Sequence, residues 1–253
     1  MKGSRALAKY LIMNADDLGY SELVNTGIME AHSFGTVTSS SLMANMPAFQ
    51  QAVGWALRTP SLGVGLHFNL TCGTAIAPPE CVPSLAGGDG SFSGQRHVWR
   101  EAEIEVELNH QFNKLVTAGI MPTHLDSHHH THLEVPQVYA AMKSFAQQRN
   151  IPMRLHPWSN DPIRRPLRTD RLIMATYDAD DGLTRLLHHI HHLHEGTTEI
   201  MCHPRYLEVD HPLRIASEAK DGELRALTSP SLRYAIRVQR IRLIHFRHLA
   251  KVS

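Results

Sequence analysis

The chain has 253 residues, 42% hydrophobic and 19% charged, a globular composition that excludes a disordered protein. Its 25 basic and 24 acidic side chains give a net charge of +1 with histidine neutral, which argues against an extended nucleic-acid or membrane surface and leaves room for a local patch. Three cysteines with no CxxC spacing argue against a disulfide framework, no stretch approaches the roughly 20 apolar residues of a membrane span, and the apolar run at Tyr10–Met13 is too short for a signal peptide.

A soluble, cytoplasmic protein is therefore expected. Tyr10 to Met13 predicts a short buried strand ending at Asn14-Ala15-Asp16-Asp17. Ser21 is a candidate N-cap for a helix to about His32 that stops before Gly35. Thr36 to Ala44 suits a strand, Pro47 to Arg58 a helix, and Leu62 to Leu70 a strand. Residues 73–96, rich in Gly and Pro, read as a long loop, and such loops often carry function. Val98 to Val116 is helical, with Ile104, Leu108, Phe112 and Leu115 as one apolar stripe and Gly119 as the stop.

Strands are then expected at Thr123–Asp126, Ile151–Leu155, Leu172–Tyr177, Thr198–Cys202 and Ile241–Phe246. Helices are expected at Val135–Gln148, at Asp181–Glu195, and from Ser229-Pro230 to about Arg240, where serine and proline form an N-cap and first position. No internal repeat is present. The alternation of strand and helix predicts an α/β fold, a (β/α) barrel-like or open parallel sheet, in a single domain over residues 1–253.

The unusual figure is 19 histidines, since histidine both ligates metals and carries protons near neutral pH. In parallel α/β folds active residues gather at the C-terminal ends of strands. Four segments put reactive groups there: Asn14–Gly19 with Asp16 and Asp17, Gly65-Leu66-His67, His124–His132, and Met201-Cys202-His203-Pro204. Adjacent carboxylates repel, so Asp16-Asp17 needs a compensating charge, which a bound cation would supply. The bland alternative has one aspartate capping the helix at Ser21 and the other solvated.

His67 alone would read as a packed core residue. On a strand, His124, Asp126 and His128 would share one face, and histidines at 128, 129, 130 and 132 have few purely structural explanations. One carboxylate and two imidazoles with open positions suit a hydrolytic divalent metal. His203, at a strand end among the others, is a candidate proton donor. Arg154 would clamp a substrate or partner a carboxylate, and Asp126 would orient a ligand histidine from behind. The tract His188, His189, His191, His192, His194 reads as a solvated helical face. Cys202 beside His203 is not a dyad, because strand neighbours face opposite ways.

These segments resemble the YdjC-like carbohydrate deacetylases, the family of chitooligosaccharide deacetylases and hopanoid-associated relatives. The likeness runs in order through NADDLG at 14–19, GLHFNLT at 65–71, THLDSHHHTH at 123–132 and MCHP at 201–204. It implies a barrel-like fold and a metal-dependent carbohydrate N-deacetylase that acts on N-acetylated sugars. By position it implies metal ligands Asp17, His67 and His128, with Asp16 as base and His203 as acid. Arg205 departs from the pattern, where a small residue is expected after His-Pro, and bears on the shape or charge of the sugar site.

The implied cofactor is one divalent cation, Zn²⁺ or Mg²⁺, with Mn²⁺ or Co²⁺ also compatible. No nucleic-acid partner is expected, and a homodimer is left open. The rivals are another metal hydrolase such as a phosphoesterase, which would want more carboxylate ligands, and a non-catalytic sugar- or metal-binding protein, which would have no need of Asp16.

Overall fold

The computed structural model describes residues 8–158, 167–207 and 220–252. Seven strands alternate with helices: β1 (Lys9–Leu18), α1 (Glu22–Ser33), β2 (Ser39–Leu42), α2 (Phe49–Arg58), β3 (Gly63–Phe68), α3 (Glu101–Thr117), β4 (Leu125–Ser127), α4 (Thr131–Glu134), α5 (Pro136–Arg149), β5 (Arg171–Ile173), α6 (Gly182–His191), β6 (Gly196–Cys202), α7 (Gly222–Thr228), α8 (Pro230–Val238) and β7 (Arg242–Leu243). All strand pairs are parallel, in the order β4-β3-β2-β1-β6-β5, with β7 also on β1. The sheet curls into a half-barrel, so the barrel-like form of the expected α/β fold is the one present. Among the described residues no helix is long and apolar enough to cross a membrane.

Parallel strands are buried on both faces, so they tolerate polar side chains only where partners satisfy them. β1, β2 and β3 obey this: Leu11, Ile12, Met13, Leu42, Leu66 and Phe68 are fully buried, and the polar Asn14, Asp16 and Ser39–Ser41 among them are hydrogen-bonded. The predicted stripe Ile104, Leu108, Phe112 and Leu115 faces the core from α3. Ser21 caps α1 by accepting from the Val24 N–H at 3.2 Å, and Ser229 caps α8 by accepting from Ser231.

Several expectations are corrected. β1 does not end at Met13 but runs through both aspartates to Leu18. Ile151–Leu155 is not a strand: Met153 forms one isolated parallel bridge with Leu125, and Pro152, lacking an N–H, offers only its carbonyl, to Leu125 at 2.9 Å. β5 and β7 are shorter than predicted, β4 starts two residues late, and α7 was not anticipated.

Gly65 packs directly on the ring of His124, where an added Cβ would lie 2.4 Å from it. Gly65→Ala is expected to destabilise by about 1–3 kcal/mol through overpacking, seen as a lower thermal midpoint. An unchanged midpoint would show that the His124 ring yields without cost.

Candidate metal centre

The site begins with a break in β1. Opposite β2, the register runs Asn14↔Ser39 and Ala15↔Ser40, then slips to Leu18↔Leu42, so β1 carries one extra residue. Asp17 absorbs this bulge with φ +69°, a left-handed conformation that costs a non-glycine residue roughly 1 kcal/mol. The two aspartates therefore meet different partners.

Asp17 faces two imidazoles. Its Oδ1 lies 2.9 Å from Nδ1 of His128 and 3.2 Å from Nε2 of His67. Burial alone would raise its pKa, but hydrogen bonds from His128 and His67 hold it well below the ordinary carboxylate range. His67 and Asp126 are cross-strand neighbours on β3 and β4, and His67 Nδ1 lies 2.8 Å from Asp126 Oδ1. Burial opposes a charge on His67, yet the Asp126 carboxylate raises its pKa to about 10. His128 leaves the end of β4 into a turn in which His129 and His130 both have positive φ. Ser127 pins that turn: its Oγ accepts from the His132 N–H and lies 2.6 Å from His132 Nδ1.

Asp16 faces inward and is fully buried. Arg154 grips it with two bonds of 2.7 Å, reaches Asp126 Oδ2 at 2.9 Å, and gives its Nε–H to Glu199 at 2.8 Å. The charge that tolerates the Asp16-Asp17 pair is thus supplied on the Asp16 side by a guanidinium. Burial pushes Asp16 up, but Arg154 outweighs it and the carboxyl stays below its usual range. Of the two sequence readings of Arg154, partner of carboxylates matches its position: it is 1% exposed and is not among the residues lining the cavity beside Asp17. Glu199 is pushed up to about 7 by burial, ahead of the opposing Arg154.

Sequence reasoning missed the polar frame behind these groups. Ser41 Oγ donates to Asp126 at 2.6 Å and accepts from Asn14 at 2.7 Å. His124 Nε2 lies 3.1 Å from the same hydroxyl, its Nδ1 lies 2.9 Å from Thr123 Oγ1, and its ring stacks on Phe246. This places His124 in the frame, and burial lowers its pKa to about 3. The available signal was Glu199 inside an apolar strand, since a buried carboxylate there demands a cationic partner.

The ligand atoms of Asp17, His67 and His128 lie within 4.8 Å of one another, as do those of Asp16, His67 and Asp126. Among the described residues, His128 Nε2 is buried without a hydrogen-bond partner. Two imidazoles and a carboxylate, with a carboxylate behind one ring, fit a divalent cation. Asp17 and His128 border a cavity of about 390 Å³, together with Tyr20, His129, Arg205 and Tyr206. A larger cavity, about 710 Å³ between α6, α7 and α8, contains none of the candidate ligands.

His203 follows the β1–β6 pair Ala15↔Cys202 and so sits at the strand end beside Asp16. It is half-buried, its backbone N–H donates to Glu223, and it is not among the residues lining the 390 Å³ cavity. Arg205 does line it, 3.5 Å from Asp221 through Nε. Gly27 of α1 lets this segment approach: a Cβ there would lie 2.5 Å from the Arg205 Cα. At the C-terminal end of α6 the rings of His188 and His192 lie 4.1 Å apart and tilted, and neither is among the grouped ligand atoms.

A curled parallel sheet carries a carboxylate–imidazole cluster at its strand ends, with a donor set that could hold a metal ion. The chain belongs to the YdjC-like protein family, whose model matches residues 10–238. It is 40% identical to a carbohydrate deacetylase of Geobacillus stearothermophilus, over 97% of this chain and 100% of that one. It is 34% identical to a chitooligosaccharide deacetylase of Serratia marcescens, over 91% and 95%. The crystal structure of an Enterococcus faecalis protein, provisionally described as a cellobiose-phosphate cleavage protein, superposes with a TM-score of 0.84 at 28% identity, covering 96% and 99% of the two chains.

Proposed function

We propose that this protein is a metal-dependent deacetylase of N-acetylated sugars, with Asp17, His67 and His128 as the residues that hold the cation. The observation that carries the reading is the convergence of these three side chains beside a cavity, with a buried His128 nitrogen left unpaired among the described residues. A divalent cation held there supplies charge to polarise the acetyl carbonyl and to acidify water.

The protein's own groups carry the protons. Asp16, ionised under the influence of Arg154, takes a proton from the attacking water on one carboxylate oxygen. The water oxygen bonds to the acetyl carbon. The C–N bond then breaks as His203 gives a proton to the departing amine, because an unprotonated amine leaves badly. The products are acetate and a free amino sugar. Asp126 fixes the orientation of His67, and Arg154 fixes Asp16 and Asp126 rather than touching the sugar.

The donor set of two nitrogens and one carboxylate oxygen suits Zn²⁺, with Mg²⁺, Mn²⁺ and Co²⁺ as further arms of the test. N-acetylated mono- and oligosaccharides are screened for acetate and free amine, before and after chelation. Activity is expected to fall to background with chelator and to return with one of these cations. Undiminished turnover in metal-stripped protein would overturn the metal role. Absence of acetate from every sugar with every cation would favour a binding protein.

A further inference from the structure

Charge is distributed unevenly along this nearly neutral chain. The last acidic residue is Glu223, and residues 224–253 carry seven basic side chains and no carboxylate side chain. The residues before them hold 18 basic and 24 acidic side chains. This basic stretch includes α8, an amphipathic helix that buries Leu232, Ala235 and Ile236. Its other face presents Arg233 and Arg237 alongside Tyr234 and Val238, each pair four residues apart and exposed.

Tyr234 and Val238 are 60% and 57% exposed. With Leu187 and His191 of α6 they line a shallow groove of about 430 Å³. Phe34, 69% exposed at the end of α1, adjoins the same surface, since its carbonyl accepts from Arg233. Arg240, Arg242 and Leu243, just beyond the helix, are also exposed. Among the described residues, none of Arg233, Arg237, Arg240 and Arg242 pairs with a carboxylate.

We propose that the α8 face, flanked by Phe34 and by Arg240–Leu243, docks reversibly on an anionic membrane surface. The guanidiniums would meet acidic headgroups, and Tyr234, Val238 and Phe34 would enter the interfacial layer, where aromatic side chains are favoured. Charge complementarity selects an acidic surface. The exposed apolar side chains interleaved with the arginines select a bilayer over a nucleic acid, whose phosphates give them nothing to bury against. This inference is independent of the metal-centre reading.

Flotation of the whole protein with vesicles tests it. Vesicles of phosphatidylcholine alone are expected to leave the protein behind, and those containing phosphatidylglycerol to carry it, with binding that weakens as salt rises. Arg237→Gln with Arg240→Gln removes two charges and is expected to weaken partition about 25-fold, at about fivefold per basic residue. Tyr234→Ser with Val238→Ser is expected to weaken partition while keeping its salt dependence. Both double variants should keep the thermal midpoint and the turnover of a water-soluble substrate. If either does not, the salt titration of the unaltered protein decides.

No partition at low salt, or equal partition on both vesicles, would overturn the proposal. So would binding to duplex DNA that survives Tyr234→Ser with Val238→Ser while vesicles are ignored. A dimer that this double variant dissolves would assign the face to a second copy instead.

Discussion

Asp16→Asn is expected to lower deacetylation by about 10² or more, the usual scale for a positioned acid or base, while metal content stays near that of the unaltered protein. Asparagine keeps the size and one accepting oxygen but cannot hold the proton. Asp16 is bound at both oxygens by Arg154, and Arg154 retains Asp126 and Glu199, so the cage loses a charge without losing its centre. Breaking one arm of a buried ion network still has a cost, so a thermal midpoint measured alongside separates a fold defect from a catalytic one. The rival outcome is specific: Asp16, His67 and Asp126 also bring their ligand atoms within 4.8 Å of one another. Loss of metal from the variant would make Asp16 a ligand and exchange the roles given to the two aspartates.

His203→Ala is expected to depress hydrolysis of an N-acetyl sugar at least ~10-fold more than hydrolysis of an activated acetate ester. The amine needs a proton to leave and the activated alkoxide does not. Asp16 and the three residues proposed to hold the metal would serve both substrates, so their loss should not discriminate. The strand-end position beside Asp16 supports the assignment, and the backbone bond to Glu223 anchors the segment whichever ring role holds. Equal losses on both substrates would limit His203 to binding or folding and move the search for the acid to residues 129–132, where His129 lines the cavity.

What could be read in the sequence is local. The α1 cap at Ser21, the α8 cap at Ser229 and the stripe of α3 each depend on residues within a few positions, and each stands as expected. Asp17, His67 and His128 were grouped by the family resemblance, and the structure brings them together near the C-terminal ends of β1, β3 and β4. The frame around them was legible only in part: Arg154 as a partner of a carboxylate and Asp126 behind a histidine were expected, but which groups pair was not, because the partners are far apart in the chain. Arg154 and Asp16 are 138 positions apart, and Ser41 and Asp126 are 85 apart. The same holds for residues 73–96, read as loop. Glu107 of α3 accepts from the backbone of Ile76 and Ala77, Glu103 accepts from Ser84, and Val82 and Leu85 are fully buried. The extension of β1 past Met13 has a related cause: Asn14, Asp16 and Asp17 are polar, and their place in a buried strand depends on partners distant in the chain.

The bulge at Asp17 also separates two acids that the chain places next to each other. Carboxyl groups facing each other at short range share a single proton and titrate as one unit. Here one neighbour is committed to a guanidinium and the other to imidazoles, so each holds its own negative charge at neutral pH. A one-residue deletion that straightened β1 would restore the alternation of side chains across the strand. It would then turn one of the two carboxylates away from this rim, so a single codon separates a rim with two independent acids from a rim with one.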